Sequence, residues 1–380
     1  MTKLKVRTPA DLIAAVPFLL GFHPSESLVV AAVRDARLAF AARIDLPDLG
    51  LSHIEARAPV LHLASRIVEQ KPEAITLIGY GDSTRVTPSL LRLSHALADA
   101  GVRIMDEFRV ADGRFWSYLC ADRTCCPEEG RPCHSADSVL AAEATFAGAV
   151  ALPSRADVVS QLAPLGGAAR AAMDAADERA RARLHALIEP AATPTEPSHE
   201  VNAVERTIAR PAETGWATTT PVSSTKGLHR SERLALRAGR IAVRSAEHRY
   251  RSGGRLTDDE VAWLGYLLAF LPVRDYAWIR SGTDDWQVAL WSDVVRRVHP
   301  ERVSAPASLL AFITWRAGQG ALAAIAVERA LDADPQYSLA QTMNATLFRA
   351  ISPSVLSGWP TPNGQPAPRE LGFLPPCDRV

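Results

Sequence analysis

Apolar residues recur every third or fourth position over residues 10–20, 51–70 and 90–100, the spacing of a helix with one buried face. Between these stretches lie short β-type runs at 4–6, 27–33, 38–46 and 74–79. Local signals sharpen the boundaries. Thr8 before Pro9 reads as a cap and a first helical position, and Gly21 reads as a stop. Arg34-Asp35-Ala36-Arg37 separates two β-type runs, which predicts a hairpin. Asp112-Gly113 predicts a second hairpin, joining 102–110 to 114–119. The order β-α-β-β-α-β-α-β-β predicts a mixed sheet flanked by helices.

A helix is predicted at 135–150, and from residue 156 the strand signal ends. Residues 190–226 are rich in Pro, Thr, Ser and Glu and poor in bulky apolar residues, the composition of a flexible linker. Helical spacing resumes at 231–250. Thr257 with Glu260 then forms a capping box ahead of 258–270. Further helices are predicted at 286–298, 306–316, 321–332 and 336–351. The chain divides into a mixed-sheet α/β domain at 1–150, connecting helices at 151–189 and a flexible linker at 190–230. A helical domain at 231–351 and a Pro-rich tail at 352–380 complete it.

Residues 307–340 resemble a tetratricopeptide repeat. Ala323 and Ala330 match its small positions, Gly318 the turn and Pro335 the terminal proline, whereas Ala307 and Ala311 stand where the repeat has an aromatic residue and a glycine. The resemblance implies a peptide-binding groove; the plain alternative is a closed bundle. Trp263, Trp278, Trp286, Trp291 and Trp315 at helical spacing read as core.

Composition narrows the function classes. With 380 residues, 47 % hydrophobic and 22 % charged, the chain can bury sizeable cores. Lys+Arg and Asp+Glu both number 42, so no extended footprint for nucleic acid or anionic lipid is expected. A local basic patch is allowed, because Arg is abundant between Arg230 and Arg255. The longest apolar runs are too short for a membrane span or broken by Pro17 and Pro272. Lys3, Lys5 and Arg7 imitate a secretion signal, but Asp11 interrupts it and Gly21-Phe22-His23-Pro24 offers no cleavage site. A cytoplasmic protein with reduced thiols is expected.

Two groups carry candidate chemistry. If 38–45 and 74–79 run parallel through the 51–70 crossover, several polar residues converge at one end of the sheet. These are His23, Ser25, Arg43, Asp45, Asp82, Ser83 and Arg85, a candidate ligand site beyond strand ends. Gly79-x-Gly81 lacks the lysine of a phosphate loop.

The second group is Cys120, Cys125, Cys126, Cys133 and His134, placed at the opposite end. Thiolate and imidazole donors bind zinc tetrahedrally, so zinc is the candidate cofactor. The absence of Cys-x-x-Cys keeps a reversible disulfide and a purely structural role open.

Several motifs resemble one family. They are Thr8-Pro9-Ala10-Asp11-Leu12 through Gly21-Phe22-His23-Pro24-Ser25-Glu26-Ser27, Ala42-Arg43-Ile44-Asp45-Leu46-Pro47, and Trp116-Ser117-Tyr118-x-Cys120 into Cys125-Cys126-Pro127. Leu152-Pro153-Ser154-Arg155 and Val273-Arg274-Asp275 complete the set. Together they resemble the domain-of-unknown-function 4192 family of high-GC Gram-positive bacteria. The resemblance implies no activity. Cys120, Cys125 and Cys126 match its pattern; Cys133 and His134 stand outside it.

Three functions fit these readings. The leading one is a cytoplasmic module that binds a small molecule or protein partner, coupled to a helical interaction region. The others are a hydrolase or transferase working at the polar end of the sheet, and a thiol redox or zinc-dependent sensor.

Overall fold

The computed structural model describes residues 6–34, 37–48, 50, 53–133, 139–146, 149–188 and 230–357. The 190–226 stretch, the 4–5 part of the first β-type run, His134 and the tail beyond 357 lie outside the described residues.

One compact unit comprises residues 1–158 with 348–352. It opens on helix α1 (Pro9–Leu20), where Thr8 and Asp11 form a capping box and Gly21, at φ +80°, ends the helix. Strands β1 (Ser27–Arg34) and β2 (Arg37–Asp45) form the first hairpin. Then come α2 (His53–Glu69), β3 (Ala74–Tyr80), α3 (Ser83–Asp99), β4 (Ile104–Ala111) and β5 (Arg114–Ser117). The short β6 (Arg131–Pro132), α4 (Val139–Phe146) and α5 (Arg155–Gln161) follow, α5 passing into the second unit after Val158.

The six strands form one mixed sheet in the order β2-β1-β3-β4-β5-β6, in which β3 and β4 are the parallel pair. β1 is antiparallel to both β2 and β3, so β2 and β3 share a direction with β1 between them.

Helices cover the sheet on both faces, which explains why β1 and β3 read as continuous apolar runs. Leu28, Val30, Ile75 and Leu77 pack with Val60, Leu63 and Ile67 of α2 and Leu90 and Leu93 of α3. Val29, Ile78 and Tyr80 point the other way, onto Ile13 and Val16 of α1. The period of two is thus preserved beneath nearly continuous apolar runs.

The second compact unit holds residues 159–347 and 353–380. Its described elements are α6 (Gly167–Ile188), α7 (Arg230–Arg251), α8 (Asp258–Leu268), α9 (Leu271–Ile279), α10 (Asp285–Arg297), α11 (Ser304–Arg316), α12 (Gly320–Ala333) and α13 (Ser338–Phe348), whose last residue belongs to the first unit. The capping box of Thr257 and Glu260 opens α8.

The helix pair resembling a repeat is present as α11 and α12, but α11 is buried on every side from Ser304 to Trp315. Its hydroxyls are satisfied internally: Ser304 donates to Ala330 O at 2.9 Å and Thr314 to Leu310 O at 2.7 Å. An enclosed helix is the centre of a bundle, so no open groove runs along it. Trp263, Trp291 and Trp315 are core residues; Trp278 and Trp286 are half-buried. No helix among the described residues is long and apolar enough to cross a membrane.

Three local differences from the sequence reading have physical causes. α3 begins at Ser83 rather than near residue 90, with Asp82 as its cap. Pro88 lies inside it and costs one backbone hydrogen bond, which the longer capped helix tolerates. α9 is a separate helix because Pro272 falls in its first turn, where a missing N–H costs nothing. β6 exists only through pairing with Arg114 and Phe115.

Candidate functional site

The first candidate group gathers where the strand directions require. Ser27 pairs with both Asp45 and Tyr80, and the Gly81 N–H donates to Val110 O at 3.0 Å. The segments around 23–27, 43–45, 80–85 and 110–113 therefore meet at one end of the sheet.

Most of these charges serve one another. Arg43 pairs with Asp45 at 2.5 Å, with its guanidinium 5.5 Å from the Phe22 ring centre. Arg85 pairs with Glu26 and donates to Pro47 O at 3.1 Å. Asp82 accepts from the N–H and hydroxyl of Thr84 at 2.8 and 2.7 Å, which holds its carboxyl below the usual range. Ser83 is the first residue of α3 rather than a loop residue. His23 and Ser25 are exposed, and neither side chain has a hydrogen-bond partner among the described residues. Glu26, not singled out from the sequence, organises this end: it sits at φ +41° against Gly81, at φ +134°. A Cβ added at Gly81 would stand 2.7 Å from the Glu26 carboxylate.

The second group is built on the loop after β5. Ser117 accepts from the Cys120 N–H at 3.2 Å and donates to Asp106 at 2.8 Å, which fixes where the loop leaves the sheet. Asp122 then makes a tight turn. Its carboxylate accepts from Thr124 N at 2.8 Å, and its carbonyl accepts from Cys126 N at 2.7 Å. Trp116 donates its indole N–H to Glu128 O at 2.9 Å, and Arg114 donates to Gly130 O at 2.8 Å, so the loop's return is pinned to β5.

This scaffold brings the sulfurs of Cys120, Cys125 and Cys126 within 4.8 Å of one another. A hydrogen bond from the Cys126 thiol draws Cys120 below the ordinary thiol range and pushes Cys126 up to about 12. The Arg131 guanidinium stands 3.9 Å from the Cys125 sulfur. Three sulfur donors this close can ligate a soft cation, and two of them can couple by oxidation.

Cys133 does not join them, which corrects the four-ligand set. Its N–H donates to Gly113 O at 2.8 Å, at the polar end of the sheet. Its side chain is buried with Tyr80, Phe108 and Phe115, and that burial pushes the thiol up. The β5–β6 pairing decides this, since it carries the chain back across the sheet before residue 133.

The sequence reading also missed two supports of the loop. Arg109 lies across from Trp116 in the β4–β5 register, and Gly130 backs onto the same indole. The Trp-Ser-Tyr-x-Cys motif was a signal for Trp116; nothing local marks Arg109.

A family model described as a domain of unknown function (DUF4192) matches residues 9–220 and 181–354 of this chain. No curated protein and no solved structure matches it.

Proposed function

On the premise that the chain belongs to the DUF4192 family, whose description assigns no activity, we propose that it carries a thiol-based zinc site on its α/β unit. Cys120, Cys125 and Cys126 supply the ligands. The observation supporting this is the mutual approach of their three sulfurs, within 4.8 Å, on a loop already braced by Asp122, Trp116 and Arg114. Zinc–sulfur bonds of about 2.3 Å in a tetrahedron place sulfurs about 3.8 Å apart, so small side-chain rotations close the site. Three protein ligands leave a fourth position for water or an exchangeable ligand, the arrangement of a working rather than a stapling zinc.

The test is native mass spectrometry with elemental analysis of the full chain purified under reducing conditions. One zinc per chain is expected, and it is lost in Cys126→Ala. Protein that stays metal-free when given equimolar zinc overturns the reading.

A second reading rests on the approach of the Cys120 and Cys126 sulfurs, within 4.8 Å of each other. These two thiols form one disulfide, losing two protons and two electrons to a peroxide or disulfide oxidant. A mass lower by two hydrogens after oxidation, restored by reductant and absent in Cys120→Ala, supports it.

Both readings need free thiols. That need supports a reducing cytoplasm as the setting of this proposal, in keeping with the high-GC Gram-positive resemblance.

A further inference from the structure

α7 carries seven arginines against two glutamates in 22 residues, in a chain whose formal charge is zero. Their placement is ordered. The exposed residues Arg230, Arg233, Arg237, Arg244 and Arg251 recur at steps that sum to whole helical turns, so they form one stripe. The face opposite, through Leu236, Gly239, Val243 and Tyr250, is buried in the unit. Arg237 and Arg244 have no acidic partner among the described residues.

An apolar residue interrupts the stripe at its centre. Ile241 is 55 % exposed, one turn from Arg237 and one turn from Arg244. It borders a groove of about 310 Å³, at the small end of ligand pockets. The apolar part of its lining, the floor, is formed by Ala238 and Ala242 from α7 with Leu264 from α8. Arg183 of α6 forms a rim, its guanidinium 4.2 Å from the Trp263 ring centre. The one acid of the groove, Glu260, is already used: it pairs with Arg249 at 3.0 Å and closes the Thr257 capping box.

We infer that this groove on the helical unit docks an acidic amphipathic helix of a partner protein. Charge complementarity selects the acids, which meet Arg237 and Arg244. The exposed Ile241 and the alanine floor select apolar side chains at helical spacing, because small residues let a helix approach closely. Nucleic acid satisfies only the arginines, since a phosphate backbone has nothing to set against the apolar floor. This inference does not depend on the thiol proposal.

The test is display selection of random 16-residue peptides on the full chain, followed by fluorescence anisotropy of the enriched peptides. Enriched peptides carrying Asp or Glu beside apolar residues at i, i+3 or i+4 and i+7 are expected. Their affinity should fall at least tenfold in Ile241→Asp and at least tenfold in Arg237→Glu/Arg244→Glu, and should be unchanged in Cys126→Ala. Ile241 lines the groove and Arg237 and Arg244 lie one turn from it on the arginine stripe; all three are exposed, and circular dichroism checks that each variant folds. The inference is overturned if no peptide is enriched, or if enriched peptides bind the Ile241 variant and the double arginine variant as well as the parent chain. It is equally overturned if a 20-base-pair DNA duplex binds instead and Ile241→Asp leaves that binding intact.

Discussion

The guanidinium carbon of Arg109 lies 3.6 Å from the centre of the Trp116 ring, and the two residues are direct register partners across β4 and β5. This stacked pair is the anchor of the cysteine loop. Gly130 backs onto the same indole at φ +76°, and a Cβ there would stand 2.5 Å from the ring. Gly130→Ala is expected to cost about 1–3 kcal/mol through backbone strain and the displaced indole. Thermal unfolding measures that cost. Zinc titration should show a weaker site in this variant, although no sulfur has been removed. Unchanged zinc affinity alongside a lowered Tm would mean that the loop holds its sulfurs without Trp116.

Cys120 should be the first thiol alkylated in metal-free protein. The hydrogen bond from Cys126 favours its thiolate, so its iodoacetamide rate should reach half-maximum below the ordinary thiol range. Cys126→Ala removes that hydrogen bond, and the profile should move to higher pH. Peptide mapping of the labelled site against pH reads both effects.

The contact between β3 and α3 leaves no room for a methyl group at Gly79. A Cβ there would lie 2.2 Å from Val86 Cγ1. Gly79→Ala should destabilise the α/β unit by about 1–3 kcal/mol, the usual cost of overpacking. Gly79→Ala/Val86→Ala should recover part of the loss, because the new methyl enters space that Val86 vacates. Urea midpoints of the single and double variants decide the matter.

Asp82 caps α3 as a carboxylate, and its pKa is lowered by Thr84. A group with a depressed folded pKa contributes stability that is present above its unfolded pKa of about 3.9 and is lost as pH falls through the lower folded value. The Tm gap between the parent chain and Asp82→Ala should therefore be open at pH 6 and close on acidification below about 4. A gap independent of pH would show that the cap works through sterics alone.

In the helical unit, Asp177 is the shared acceptor of Arg302 and the Tyr266 hydroxyl, the latter at 3.2 Å. Arg302 also lies over the Tyr266 ring, 4.0 Å from its centre. Asp177→Ala leaves a largely buried guanidinium unpaired and should cost about 3 kcal/mol, whereas an exposed pair such as Arg179–Asp259 should be worth under about 1 kcal/mol. Chemical denaturation of the two variants side by side tests the contrast.

Sequence alone determined the features that depend on near neighbours. Thr257 with Glu260 caps its helix by hydrogen bonds spanning three residues, so a four-letter pattern reveals it, and Thr8 before Pro9 marks another helix start. Asp112 and Gly113, at φ +48° and +69°, close a hairpin that the two letters announce. The division into a mixed sheet and a helical region follows from hydrophobic period, which is also a local quantity. Tertiary structure decided the rest. Whether Cys133 joins Cys120, Cys125 and Cys126 depended on β6 finding β5, which buried Cys133 and left three sulfurs together. Whether Ile241, Ala238 and Ala242 of α7 face open solvent or line a groove depended on α6 and α8 packing beside them. Those contacts join residues far apart in the chain, and no local pattern carries their geometry.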